Sequence, residues 1–222
     1  AFIRSAIESV INIQNYDIPR AERGRVVGEI YNDIVGLGPL EPLLADPDVT
    51  EIMVNGAEHV YVEMHGKIQP TNVKFRDNEH VMNVINRIVA SVGRRIDESS
   101  PMVDARLADG SRVNAIIPPV ALTGPTITIR KFAKTPLTVS DLIRFTSVSP
   151  QMMAFLEACV RGRMNIIVSG GTGSGKTTLL GVLSAYIPEN ERIVTIEDAA
   201  ELQLRQRHVI TLESKPANVE GV

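Results

Sequence analysis

Gly170-Gly171-Thr172-Gly173-Ser174-Gly175-Lys176-Thr177 is the passage from which the rest of the chain is best read. It satisfies G-x-x-x-x-G-K-[ST] at every fixed position. Glycines let the backbone curl so that successive N–H groups point at a phosphate chain. A helix beginning near Lys176 aims its positive end at the same place. Lys176 is the residue type that reaches β- and γ-phosphates, and Thr177 supplies a hydroxyl to Mg²⁺. The flanks have the required texture. Asn165-Ile166-Ile167-Val168-Ser169 leads in, and Met164–Ser169 is expected to form a central parallel strand buried on both faces. Leu179-Leu180-Gly181-Val182-Leu183 leads out as an apolar helix. The alternative, a glycine-rich turn with no ligand, does not account for this context. The cofactor-binding set is therefore Gly170, Gly171, Thr172, Gly173, Ser174, Gly175, Lys176, Thr177 and Thr178, with ATP or a close relative and Mg²⁺ as ligands.

Downstream, Arg192–Ile196 reads as a strand ending in Glu197-Asp198, with Glu201 one turn later. A carboxylate at such a strand end can polarise an attacking water or hold a water of Mg²⁺. The plainer reading makes Asp198 a helix cap and leaves Glu197 and Glu201 solvated. The run looks superficially like a Walker B strand. It follows Lys176 after only one helix and a turn, so it reads as the next strand in order and not the metal-binding one. His208–Leu212 is the last strand-like run. A nucleotide-binding α/β core normally needs more strands than these, so its C-terminal half is expected to lie outside these residues.

Upstream the texture differs. Phe2 to about Val35 has helical periodicity, broken at Asp17-Ile18-Pro19 and ended by Gly36-Leu37-Gly38-Pro39. A mixed α/β stretch follows. Glu51–Asn55 and His59–Met64 read as strands, with turns at Asn55-Gly56 and His65-Gly66. Val81, Ile85, Ile88 and Val92 mark a helix. A hairpin turns at Asp109-Gly110, and Thr126–Arg130 is another strand. Arg112 and Arg130 fall on the polar faces of their strands. Such arginines are usually solvated, although a guanidinium fork suits a γ-phosphate. Arg94 and Arg95 are weaker candidates of the same kind. Lys131–Thr138, polar and aperiodic, reads as a linker with Lys131 and Lys134 as solvated charges. Ser149 then caps a helix whose first residue is Pro150 and whose end is Gly162. The expected domains are a helical lead-in over 1–45, a small mixed α/β domain over 46–130, a linker over 131–138 and a P-loop core over 139–222.

Composition excludes several classes. The chain has 222 residues, 44% of them hydrophobic, which suits a globular fold. A net charge of −3, with no basic strip studded by aromatics, argues against a nucleic-acid partner. Four His and one Cys, Cys159, show no metal spacing, and a single Cys forms no internal disulfide, which fits a reducing compartment. No apolar stretch approaches 18 residues. Arg4 and Glu8 interrupt the opening residues, so no signal peptide is expected there, and the missing Met points to a removed N-terminus.

Gly36-Leu37-Gly38-Pro39-Leu40-Glu41-Pro42-Leu43-Leu44 and Asp48-Val49-Thr50-Glu51-Ile52-Met53-Val54-Asn55-Gly56 resemble the N-terminal domain of the type II/IV secretion-system ATPases. Gly93–Leu107, Asp109–Asn114, Ile127–Lys131 and Thr195–Leu202 resemble the Flp/Tad-pilus assembly branch (CpaF-type), the last of these its Asp box. The resemblance covers about residues 35–222. It implies an α/β protein with a PAS-like N-terminal domain and a RecA-like core. It also implies a hexameric ring ATPase, cytoplasmic and peripheral at the inner face of the inner membrane, powering a pilus or secretion filament through an integral-membrane platform protein. Nucleotide would sit between the two domains. Arg112 and Arg130 match arginines that contact phosphate, and Glu197 and Glu201 match the Asp-box acids. With Lys176 these form the implied catalytic set, and Thr177 is the metal-holding residue. The family's Walker B and His box fall beyond Val222, so the resemblance puts ATP binding within reach of these residues and leaves turnover in question. Two other readings stay open: a nucleotide-gated scaffold with little turnover, and a RecA-type nucleic-acid motor.

Overall fold

Alternating apolar and polar residues carry the first half of the chain into a six-stranded antiparallel sheet. The computed structural model describes residues 2–14, 16–132 and 136–214, and the chain divides into two units, Ala1–Phe132 and Ala133–Val222. The strands are β1 (Val49–Asn55), β2 (His59–Met64), β3 (Lys67–Pro70), β4 (Met102–Arg106), β5 (Arg112–Ile116) and β6 (Thr126–Arg130). Their order across the sheet is β3-β2-β1-β6-β5-β4. Ile52, Val54, Val60, Val62, Val113, Ala115, Ile127 and Ile129 are buried on one face, as period-two alternation requires. A helix over Asn78–Ser91 adds Val81, Val84, Ile85 and Ile88 to the same core. Asp77 caps it by accepting a hydrogen bond from the His80 N–H at 2.7 Å.

Before the sheet, α1 (Phe2–Ile13) and α2 (Arg23–Val35) pair around Ile7, Ile11 and Val27. A 3₁₀ turn over Gly38–Leu40 and the short α3 (Glu41–Ala45) lead into β1. The helix of Asn78–Ser91 is thus α4. Its Arg87 holds the end of α2 by donating to the carbonyls of Asp33 (2.9 Å) and Gly36.

The second unit contains α5 (Val139–Arg144), α6 (Pro150–Arg161) and α7 (Lys176–Ser184), with β7 (Ile193–Glu197) and β8 (Val209–Glu213) paired in parallel. Thr138 and Asp141 form a reciprocal capping box on α5. Ser149 caps α6, Pro150 is its first residue and Gly162 its C-cap, as the sequence predicts. The core here is small, with Leu142, Met153, Val182 and Leu183 buried.

Three expectations need correction. Met164–Ser169 forms no ladder with any described residue. An apolar run becomes a buried central strand only where neighbours flank it; here Met164 is 64% and Ile167 93% exposed. Lys131 is not a solvated linker charge. Its backbone N–H donates to the Thr50 carbonyl at 2.9 Å, and its ammonium to the carbonyls of Leu43 and Asp46. The expected linker is also shorter, because Thr138 already belongs to the cap of α5. Lys134 and the centre of that linker lie outside the described residues.

Candidate functional site

The glycine-rich loop has the backbone its composition predicts. Gly173 (φ +72°) and Gly175 (φ +86°) occupy left-handed conformations that a side chain disfavours. A Cβ on either would meet nothing within 4 Å, so conformation, not space, requires glycine there. Gly175 is the N-cap of α7, and Lys176 is the helix's first residue. The orphan N–H groups of this first turn and the helix dipole converge on the loop. Ser174 Oγ and Lys176 Nζ both donate to the Gly171 carbonyl, at 2.8 and 2.6 Å, which curls the loop on itself. Thr177 and Thr178 follow, exposed, on the same turn. A cleft of about 340 Å³ opens beside Gly173-Ser174-Gly175-Lys176.

The acidic cluster differs from the plainer sequence reading. No helix follows β7, so Asp198 caps none; its Oδ1 accepts from Ser214 Oγ at 3.0 Å. Glu197 is part-buried. Its Oε2 accepts from the N–H groups of Glu201 (2.9 Å) and Leu202 (3.1 Å), while its Oε1 is buried without a partner. Ala200 N–H donates to Glu213 Oε1 at 2.7 Å. Gln206 donates to the Ser184 carbonyl at 2.6 Å, and Leu202 lies 3.8 Å from where a Cβ on Gly181 would sit. The loop after β7 is therefore fastened to α7, the helix that carries Lys176. Glu197 is the buckle of that loop.

In the first unit, strand register places Arg106 opposite Arg112, Arg112 opposite Arg130, and Arg130 opposite Glu51. Three arginines thus stand side by side across β4, β5 and β6, on the face away from the α4-covered core. Glu51, opposite Arg130, continues the row onto β1. Arg106 was not among the residues singled out from the sequence. Its polar-face position is legible there, but its place beside Arg112 depends on cross-strand register. Arg94 is used elsewhere, donating to the Asp104 carbonyl at 2.6 Å.

The donor set fits Mg²⁺ held through a ligand's phosphates. Among the described residues no three His, Cys, Asp or Glu converge to form a metal cage. Two hydroxyls, of Thr177 and Thr178, stand in the first turn of α7. Mg²⁺ is commonly bound in this way, by few protein groups plus phosphates and waters. Among the described residues no helix is long and apolar enough to cross a membrane.

Comparison with known proteins accords with these features. An uncharacterized protein of Methanocaldococcus jannaschii is 47% identical over 194 residues, covering 84% of this chain and 27% of that protein. The type IV secretion system protein VirB11 of Brucella suis is 34% identical over 191 residues, covering 76% of this chain and 53% of that protein. The chain thus spans roughly a quarter to a half of these relatives' length. The X-ray structure of the Yersinia pseudotuberculosis ATPase DotB matches with a TM-score of 0.51 at 18% identity, over 79% of this chain and 50% of that one. That likeness is one of fold, and it agrees with an α/β, RecA-like reading. The sequence model of the family described as "Type II/IV secretion system protein" matches residues 33–219. With most of its length so matched, the chain belongs to the type II/IV secretion system protein family.

Proposed function

We propose that the chain is the nucleotide-binding part of an ATP-hydrolysing motor that drives assembly of a pilus or secretion filament, of Flp/Tad type. The observation that carries this reading is the glycine-rich loop capping α7, with Lys176 at the helix's first position. In this scheme the loop N–H groups and Lys176 hold the β- and γ-phosphates of ATP. Thr177 holds Mg²⁺, which when bound neutralises phosphate charge. Glu201 positions the attacking water, and Glu197 fixes the backbone that carries Glu201. Arg112 and Arg130, with Arg106 beside them, supply further positive charge to phosphate. The motor would be a hexameric ring at the cytoplasmic face of an inner membrane, working through an integral-membrane platform protein.

The test is Mg²⁺-dependent phosphate release from ATP by the protein at its natural length. Lys176→Ala is expected to remove both ATP binding and turnover. Unchanged turnover in that variant overturns the proposal. One observation favours a second reading, a nucleotide-gated scaffold with little turnover: Glu197 Oε2 is fully engaged in holding its own loop. ATP binding that tightens the protein without phosphate release selects that reading.

A further inference from the structure

The cleft beside the phosphate loop has a second wall that the phosphate chemistry does not use. Leu137, Phe145, Val148 and Leu179 line the cleft together with Gly173–Lys176. This wall is apolar, as ligand pockets mostly are, and it stands next to the loop that takes the phosphates. Phe145 is its most prominent member, with 53% of its surface exposed.

The ring of Phe145 is held in place from behind. Arg144 lies over it, its guanidinium carbon 5.0 Å from the ring centroid. Arg144 is itself anchored, donating to Asp141 Oδ1 at 2.8 Å, and Asp141 Oδ2 accepts from the Thr138 N–H and hydroxyl at 2.9 and 2.6 Å. The backbone then turns sharply. Thr146 has φ +57°, and the N–H groups of Thr146 and Ser147 donate to the carbonyls of Ile143 and Leu142. A non-glycine residue in the left-handed region is uncommon, and surrounding contacts must hold it there. Here they fix the direction of Phe145. The result is an aromatic plate with one face against a cation and the other edge of its surroundings opening on the phosphate-loop cleft.

We propose that Phe145 is the platform on which the nucleobase of the bound nucleotide stacks, with the Leu137, Val148 and Leu179 side chains closing around base and ribose. This rests on the reading of the glycine-rich loop as a nucleotide site and adds what that reading leaves open: where the base goes and how it is recognised. Stacking is tolerant of base identity because every base has a π-face. The side-chain hydrogen-bonding groups lining the cleft are the hydroxyls of Ser147, Ser169, Ser174 and Thr178 and the ammonium of Lys176, with no carboxylate or amide among them. Recognition here is therefore by shape and stacking more than by the polar edge of the purine, and ATP and GTP bind within about ten-fold of each other.

The chain contains no Trp, so Phe145→Trp places a single indole at this position. ATP and GTP are expected to quench its emission, while inorganic tripolyphosphate, which has no base, displaces ATP without quenching. Phe145→Ala is expected to weaken ATP about ten-fold and leave tripolyphosphate affinity unchanged. Equal weakening of ATP and tripolyphosphate by Phe145→Ala, or ATP that binds Phe145→Trp without altering its emission, overturns the platform. GTP binding a hundred-fold weaker than ATP overturns recognition by stacking. Lys176→Ala separates the two layers. If it leaves tripolyphosphate and ATP binding intact, the phosphate-loop reading itself fails, whatever Phe145 does.

Discussion

Gly175 and Lys176 are adjacent, yet they fail in different ways when changed. Gly175 needs φ near +86°, so Gly175→Ala is expected to strain the loop and weaken ATP by distorting its N–H groups, with little effect on the core of its unit. Lys176→Ala removes a charge and the hydrogen bond to the Gly171 carbonyl but imposes no unfavourable φ. The two are told apart by a melting curve without nucleotide, shifted further for Gly175→Ala. Glu197 and Glu201 differ similarly. Glu201→Gln is expected to keep ATP binding and lower phosphate release at least a hundred-fold. Glu197→Ala is expected to free the N–H groups of Glu201 and Leu202 and to show higher hydrogen exchange over residues 198–206. In the arginine row, Arg112 stands between two like charges. Arg112→Gln is expected to lower phosphate release from ATP, and unchanged release removes the row from the proposed site. The row also marks a limit of sequence reading. Alternation puts Arg106, Arg112 and Arg130 on polar faces. Their alignment is set by the antiparallel registers of β4 with β5 and of β5 with β6, the second joining residues 18 positions apart in the chain.

Elements with local punctuation were legible. Ser149, Pro150 and Gly162 delimit α6 in the sequence as in the structure, and Ser149 accepts the Met152 N–H at 3.2 Å. Ser149→Ala is expected to cost about 1 kcal/mol in urea unfolding. In the core of the first unit, Ile85 is fully buried on α4, and Ile85→Ala is expected to cost about 3 kcal/mol. The caps also predict a pH dependence. Backbone and hydroxyl donors hold the Asp77 and Asp141 carboxyls below their ordinary 3.8, chiefly the His80 N–H for the first and the Thr138 hydroxyl for the second. Depressed carboxylates contribute stability above the unfolded value, and that contribution is lost as pH falls through the lower folded one. Acid unfolding is thus expected to sharpen below about pH 4, and Asp77→Asn to blunt it. Other elements were illegible for identifiable reasons. β3 is exposed at all four positions, so no burial pattern betrays it; only its pairing with β2 makes it a strand. α5 starts just past the expected linker and went unread because the capping partner of Thr138 is Asp141, where the usual signature has Glu or Gln. Residues 164–169 were misread in the opposite sense: their apolar character is intrinsic, whereas a ladder depends on neighbours.

The two units carry unequal cores, an extended one around Ile52, Ile85 and Ile129 and a small one around Leu142 and Leu183. Unfolding is expected in two steps, against a single two-state transition. The unit containing the phosphate loop should melt first. ATP should raise only that lower transition, because a ligand stabilises the part whose native state binds it; calorimetry with and without nucleotide reads both steps. This unit also holds the apolar run 164–169, with Ile167 turned to solvent. Exposed apolar residues with no ladder partner among the described residues are a template for strand addition by whatever comes near them. In a concentrated solution of this chain the nearest candidate is the same run on another copy. Colloidal stability of these 222 residues should therefore hinge on a handful of atoms far from the arginines and the acids: Ile167→Lys is expected to suppress concentration-dependent light scattering while leaving the α7 phosphate loop able to take up ATP.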